Sequence, residues 1–234
     1  MRYHYRLTNK LTRVNLIKET YVMIKYKSDW TKVFLIFSIA FFLSCEEEEN
    51  SDFIDFKPCA ERAVFGSPLE SEYVLPFPPG KSYELVQSYC TPNNSHRNQL
   101  AYDFLMPIGA FLTATRSGIV VELVENQPDA EPGGVPIGNH NHINIQHPDG
   151  SVSFYAHFKQ DEIWVNVGDV VNTGDTIGLS GNSGSSIPHL HFGVYRTWPA
   201  YEGDDLAVNF KNTIDSLDEN GGLIAGLYYT ALPY

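Results

Sequence analysis

The 234-residue chain is poor in cysteine, methionine and tryptophan, with three of each, and it carries only 16 Lys and Arg against 28 Asp and Glu, a net charge of −12. So few basic residues count against nucleic acid and anionic membrane surfaces as partners, because both repel an acidic protein. Amphipathic helical periodicity is scarce, which leaves strands and turns to build the fold. No His-Glu-x-x-His pattern and no Walker loop occur, and Gly181-Asn182-Ser183-Gly184-Ser185 lacks the second glycine placement of a nucleophile elbow. The longest apolar run, Val33 to Leu43, is too short for an ordinary membrane span.

That run is informative in another way. Lys25, Lys27 and Lys32 precede it and Ser44-Cys45 ends it, the basic, apolar and small-residue order of an export signal. The segment resembles a bacterial lipoprotein signal, with Phe42 where such sequences usually carry Leu, so a lipid on Cys45 is expected. Residues 1–44 are then the signal segment, with Met23 as the expected start, and residues 45–72 a lipidated acidic tether and N-terminal extension. Eight of the 16 basic and two of the 28 acidic residues lie in 1–44, which leaves 8 against 26, a net −18, on the mature chain. The expected address is extracytoplasmic, a membrane-anchored lipoprotein on the periplasmic side or the cell surface, with the membrane touched only through the lipid. The run Glu46 to Asp52 reads as a solvated tether, and similar acidic runs follow the lipidated cysteine of some surface lipoproteins. Cys59 and Cys90 remain; in an exported protein they read as a disulfide tying the N-terminal segment to the domain, or as two buried thiols.

From about Tyr73 onward the pattern is β. Runs at Phe111 to Val124, His142 to Gln146, Val152 to Phe158, Thr176 to Leu179 and His191 to Tyr195 are separated by Gly, Pro, Asn and Asp. They predict an all-β domain of antiparallel sheets, sandwich-like or a partly closed barrel, with little helix. Val165 to Gly178 alternates apolar residues with Gly-Asp pairs and codes for tight turns. Asp129 to Pro136 reads as an exposed loop, Thr213 to Leu217 as a short helix, and Gly221 to Tyr234 as a stretch that packs back on the domain.

The chemistry gathers in the histidines. In Pro188-His189-Leu190-His191-Phe192 the two imidazoles are one residue apart in an extended segment, so both face one side. His96 and Asp103 lie upstream, where a polar loop turns into an apolar strand. Seven residues apart, they would point to opposite sides of a straight strand, so the loop must bend His96 back before the two can share a metal. Each alone would read as a surface loop histidine or a turn carboxylate. Together with His-Leu-His they form the nitrogen and anionic oxygen set that a catalytic zinc prefers. His147 in His-Pro-Asp-Gly reads as structural. His140 and His142 read as groove-lining or simply exposed residues, and Tyr102 and Tyr155 as packing or groove residues.

The order His…Asp, then Tyr155-Ala156-His157, then Gly-Asn-Ser-Gly-x-Ser and His-Leu-His-Phe resembles the lysostaphin-type, or LytM-like, zinc metallopeptidases that cut peptide bonds in peptidoglycan. The likeness runs from about Tyr73 to Tyr195 and includes Pro107-Ile108-Gly109, Arg116-Ser117-Gly118-Ile119-Val120, His147-Pro148-Asp149-Gly150 and Val167-Gly168-Asp169-Val170-Val171. It implies that His96, Asp103 and His191 hold Zn2+ and that His157 and His189 are the catalytic pair. The commonest form of the family separates the first His from the Asp by three residues; here six intervene. On this reading residues 73–198 are the metallopeptidase domain and 199–234 a C-terminal extension packed on it.

The resemblance implies a zinc-dependent endopeptidase acting on cross-link or stem peptides of bacterial peptidoglycan. His189, beside the metal, is the expected base and His157 the expected transition-state stabiliser, two roles that sequence leaves exchangeable. A non-hydrolytic wall-binding or amidase-regulating module of the same fold is the alternative, and a regulatory protein partner is left open.

Overall fold

Residues 57–92, 95–201 and 203–234 are described by a computed structural model of the chain. The expected export signal, lipidated Cys45 and acidic tether lie outside these residues. A four-residue helix, α1 (Cys59–Arg62), and a 3-10 turn (Pro68–Glu70) precede eleven strands: β1 (Ser82–Gln87), β2 (Ala101–Leu105), β3 (Phe111–Thr113), β4 (Gly118–Val124), β5 (His142–Gln146), β6 (Val152–Ala156), β7 (Phe158–Ile163), β8 (Val170–Val171), β9 (Thr176–Ser180), β10 (His189–Tyr195) and β11 (Tyr228–Thr230).

The strands form an eight-stranded sheet, ordered β11-β1-β2-β10-β6-β5-β4-β8, and a three-stranded sheet, β3-β9-β7. Every ladder is antiparallel. The expected all-β antiparallel architecture is present. The large sheet is open, with β11 and β8 as its edges among the described residues, so the barrel alternative gives way to two layers around one core. Leu112, Phe158 and Ile177 of the small sheet pack with Tyr102, Phe104, Tyr155 and Phe192 of the large one, all fully buried.

Two apolar runs that read as single strands are split between the layers. Phe111 to Val124 becomes β3 in the small sheet and β4 in the large one. The chain turns at Thr115, where its N–H and hydroxyl meet the buried Tyr155 hydroxyl at 2.8 and 2.7 Å. Val152 to Phe158 is divided at His157, whose left-handed φ of +70° lets β6 end in one sheet and β7 begin in the other. Period-two alternation reports only that a residue is half-buried and is blind to such a change of layer.

Thr213 to Leu217 is not helical. The Thr213 hydroxyl donates to Asp215 Oδ2 at 2.7 Å, and the same carboxylate oxygen accepts from the Thr230 N–H at 3.0 Å. These side-chain bonds replace the helical ladder that the pattern suggested. The final stretch does more than pack back: Tyr228, Tyr229 and Thr230 pair with Glu84, Tyr83 and Ser82 as the edge strand β11. Cys59 and Cys90 form a disulfide.

Candidate metal centre

β10 lies between β2 and β6 in the middle of the large sheet, and the site is built on its outer face. Leu190, Phe192 and Val194 are fully buried in the core, so His189 and His191 project from the other side. In the β2–β10 ladder His191 stands directly opposite Asp103, which brings ring and carboxylate together, His191 Nδ1 to Asp103 Oδ1, at 2.9 Å. His96 comes from the turn before β2, closed by the Gln99 N–H on the His96 carbonyl at 3.1 Å. Its ring, with no exposed surface, reaches back so that Nε2 lies 3.0 Å from His191 Nδ1 and 3.1 Å from Asp103 Oδ1. The bend that a six-residue spacer demands is therefore made by this turn.

One donor atom from each of His96, Asp103 and His191 lies within 4.8 Å of the other two. The protons available to this triangle can be counted. His96 Nδ1 faces the Ser88 carbonyl at 3.2 Å, and a carbonyl only accepts, so Nδ1 carries the hydrogen and Nε2 turns a lone pair inward. At most one proton, on His191 Nδ1, is then shared among a lone pair, a carboxylate oxygen and a ring nitrogen. Burial opposes the charged Asp103 carboxylate, but the hydrogen bond from His191 Nδ1 holds its pKa far below the usual range. Burial also pushes the His191 pKa below its ordinary value, which discourages a second proton. An anion and two inward nitrogens short of protons fit a cation placed between them, and two imidazoles with one carboxylate are a donor set suited to zinc.

The other two histidines stand beside this triangle. His189 Nδ1 donates to the Ile187 carbonyl at 2.7 Å, and its Nε2 points towards Asp103 Oδ1 at 3.7 Å. His157 Nδ1 donates to the Ser183 carbonyl at 2.6 Å, which leaves Nε2 as the ring's acceptor. Burial, reinforced by His189 and His191, lowers the His157 pKa to about 3, so this ring is neutral at physiological pH. The His157 and His189 rings lie 4.4 Å apart, centre to centre. All five residues singled out from sequence thus gather in one place, at an open groove of about 640 Å³ whose walls include Gln87, Phe154, Ile187 and Tyr195.

The remaining histidines divide. His147 is structural, donating from Nδ1 to the Ser117 carbonyl at 2.9 Å and accepting at Nε2 from the Ser153 hydroxyl at 2.7 Å. His140 lines the groove, and burial, with His142 and His191 nearby, lowers its pKa to about 4. His142 Nε2 lies 3.4 Å from Glu122 Oε2 on the neighbouring strand. Tyr102 and Tyr155 are packing residues, both almost completely buried.

Three contributions were not apparent from sequence. Asn141, fully buried, accepts the His157 N–H on its carbonyl at 2.9 Å, donates from its side chain to the Phe158 carbonyl at 3.1 Å, and donates from its own N–H to the Ser183 hydroxyl oxygen at 2.9 Å. Asn141 and Ser183 together hold the strained turn of His157. Phe154 sets its ring 5.8 Å from that of His191, and alternation along β6 would have placed it on the groove face. The Ser88 carbonyl, which fixes His96, belongs to backbone and leaves no mark in the sequence.

Residues 97–207 match the profile of Peptidase family M23. A chain described as an uncharacterized metalloprotease, from Buchnera aphidicola, is 34% identical over 129 residues, 52% of this chain and 31% of that one. The peptidoglycan DD-endopeptidase ShyA of Vibrio cholerae is 30% identical over 135 residues, 56% of this chain and 27% of its own. This chain therefore spans about a third or less of the length of these curated relatives. Among solved structures, the catalytic domain of lysostaphin from Staphylococcus simulans is 29% identical over 53% of this chain and 86% of that domain, with a TM-score of 0.38.

Proposed function

We propose that this chain, whose residues 97–207 match the profile of Peptidase family M23, is a zinc-dependent endopeptidase that hydrolyses cross-link or stem peptides of bacterial peptidoglycan. One observation carries the reading: His96 Nε2, Asp103 Oδ1 and His191 Nδ1 converge within about 3 Å of one another with too few protons to share. These three residues hold the metal. When bound, zinc supplies Lewis acidity towards a carbonyl oxygen and lowers the pKa of water.

The chain's own groups do the rest. His189, whose Nε2 lies 3.7 Å from Asp103 Oδ1, takes the proton of the attacking water at Nε2 and passes it to the leaving amine. Its Nδ1–H on the Ile187 carbonyl keeps the ring from rotating. His157 enters as a neutral ring, since burial resists the second proton that donation to an oxyanion from Nε2 would need. We infer that, with Nδ1 donating to the Ser183 carbonyl, its Nε2 acts as an acceptor that orients the water or a substrate N–H, in place of the transition-state role expected from sequence. The curated relatives from Vibrio cholerae and Staphylococcus capitis, named as a peptidoglycan DD-endopeptidase and a glycyl-glycine endopeptidase, support a wall peptide as substrate.

The export signal and Cys45 support an extracytoplasmic, lipid-anchored location. The mass of the chain purified from membranes tests this: a diacylglycerol-modified species beginning at Cys45 is expected, and an unprocessed chain contradicts it. The activity is tested by incubating the purified full chain with cross-linked peptidoglycan. Shorter muropeptides should appear with zinc and not with a chelator. Inertness towards several wall types in the presence of zinc would overturn the assignment.

A further inference from the structure

His96 is the member of the triangle that no strand holds. Asp103 and His191 are fixed by the β2–β10 ladder, but His96 sits in the 88–100 connection between β1 and β2. The described residues of the connection are tied both to one another and to residues outside it. The Cys90 N–H donates to the Gln99 carbonyl at 3.0 Å, and the Gln99 N–H to the His96 carbonyl at 3.1 Å, so Gln99 links Cys90 to the turn that carries His96. Cys90 is bonded to Cys59 at the start of α1. One turn later Arg62 donates from Nη2 to the Asn98 carbonyl at 2.8 Å and to Asn98 Oδ1 at 3.2 Å. The same guanidinium pairs with Asp205, which accepts the Leu100 N–H at 2.6 Å. Cys59, Ala63 and Leu100 bury one another in a small cluster of their own, apart from the main core.

We propose that the segment 59–62 is a strap that positions His96, with the Cys59–Cys90 disulfide and Arg62 as its two attachments, so that metal affinity depends on residues about 35 positions away from the ligand in sequence. Cys59, Arg62 and Cys90, like His96 itself, all precede the residues that match the family profile, 97–207. The physical logic is preorganisation. Binding must otherwise order the connection each time the metal arrives, and a crosslink together with a guanidinium that bridges Asn98 and Asp205 removes that cost beforehand. Ser88, whose carbonyl orients the ring, stands only two residues from Cys90, so loosening one attachment also frees the tautomer that presents Nε2 inward. Cys90 holds a left-handed φ of +50°, a conformation that a non-glycine residue keeps only when its surroundings impose it.

The inference rests on the reading of His96, Asp103 and His191 as the metal site. Its test is zinc affinity, measured on the purified full chain by competition with a chromophoric chelator, with thermal melting of each protein recorded in parallel. Four proteins are compared: wild type, Cys59→Ser with Cys90→Ser, Arg62→Gln, and the control Arg116→Ala. The control breaks the ion pairs of Arg116 with Glu72 and Asp149; Arg116 leads into β4, which stands three strands from β10 in the large sheet. Both strap variants should bind zinc about tenfold or more weakly, the range in which loss of a ligand's supporting partner is felt, and excess zinc should restore turnover. The control should keep wild-type affinity whatever its melting temperature. Wild-type affinity in both strap variants overturns the strap, as does equal weakening in the control, which marks general destabilisation. If the double cysteine variant does not fold, Arg62→Gln alone decides. Failure of the wild type to bind zinc overturns the metal site itself, and the strap with it.

Discussion

His157 is locked to Ser183 from two sides: its ring donates from Nδ1 to the Ser183 carbonyl at 2.6 Å, while the Ser183 hydroxyl donates to the carbonyl of the next residue, Phe158, at 2.8 Å. Between them the backbone of His157 is held at φ +70°, where a non-glycine residue stores on the order of 1–3 kcal/mol. The motif Gly-Asn-Ser-Gly thus serves the site from behind.

Ser183→Ala should leave zinc content unchanged and lower turnover by about 10- to 100-fold, the usual effect of losing a partner that orients a functional ring. Asn141→Ala should act in the same direction. Metal analysis and muropeptide release on the same samples check both. Unchanged turnover would mean that the neighbouring strands alone hold His157.

His189→Ala and His157→Ala should each retain the metal and lose turnover by at least about 100-fold, since proton transfer by a positioned side chain contributes about that much or more. Loss of zinc in either variant would move that residue into the ligand set.

The pH behaviour of the metal-free protein follows from burial. Burial lowers the folded-state pKa values of His157 and His140 from the ordinary imidazole value of 6.5 to about 3 and about 4. Below about 6.5 the unfolded chain takes up protons that the folded chain refuses. Stability due to these groups is therefore complete above that pH and is lost as pH falls towards about 4 and then about 3. Nitrogen chemical shifts of the imidazoles, followed in the metal-free protein, should show His157 neutral at pH 5. A doubly protonated ring there would contradict the sign.

Gly184→Ala tests the turn that leads into β10. The residue has φ +65°, and an added Cβ would lie 2.8 Å from the Asn139 carbonyl carbon and the His140 nitrogen, backbone atoms that cannot swing aside. Both effects should destabilise, by more than about 1 kcal/mol in urea unfolding. The cost should be accompanied by weaker turnover, because the loops that carry His140 and His189 meet here.

What sequence disclosed, and what it concealed, divides along physical lines. Period-two alternation around His189-Leu190-His191 put both rings on one face, and the β10 strand is built that way. The separation of His96 from Asp103 called for a bend, and the turn at His96 to Gln99 makes it. Sheet membership was hidden, because an apolar run looks the same whether it stays in one layer or crosses to the other at Thr115 or His157. The Ser88 and Ile187 carbonyls that set the tautomers are main-chain groups of residues whose identity hardly matters. Arg62 and Asp205 meet across 143 positions of sequence, and nothing local in either segment announces the pairing.

The most direct test is the zinc stoichiometry of the purified protein after equilibrium dialysis, wild type beside His191→Ala and His189→Ala. About one zinc per chain is expected for a three-ligand site, lost in His191→Ala and kept in His189→Ala. No zinc in the wild type, or one zinc that survives His191→Ala, would contradict the metal centre assembled from His96, Asp103 and His191.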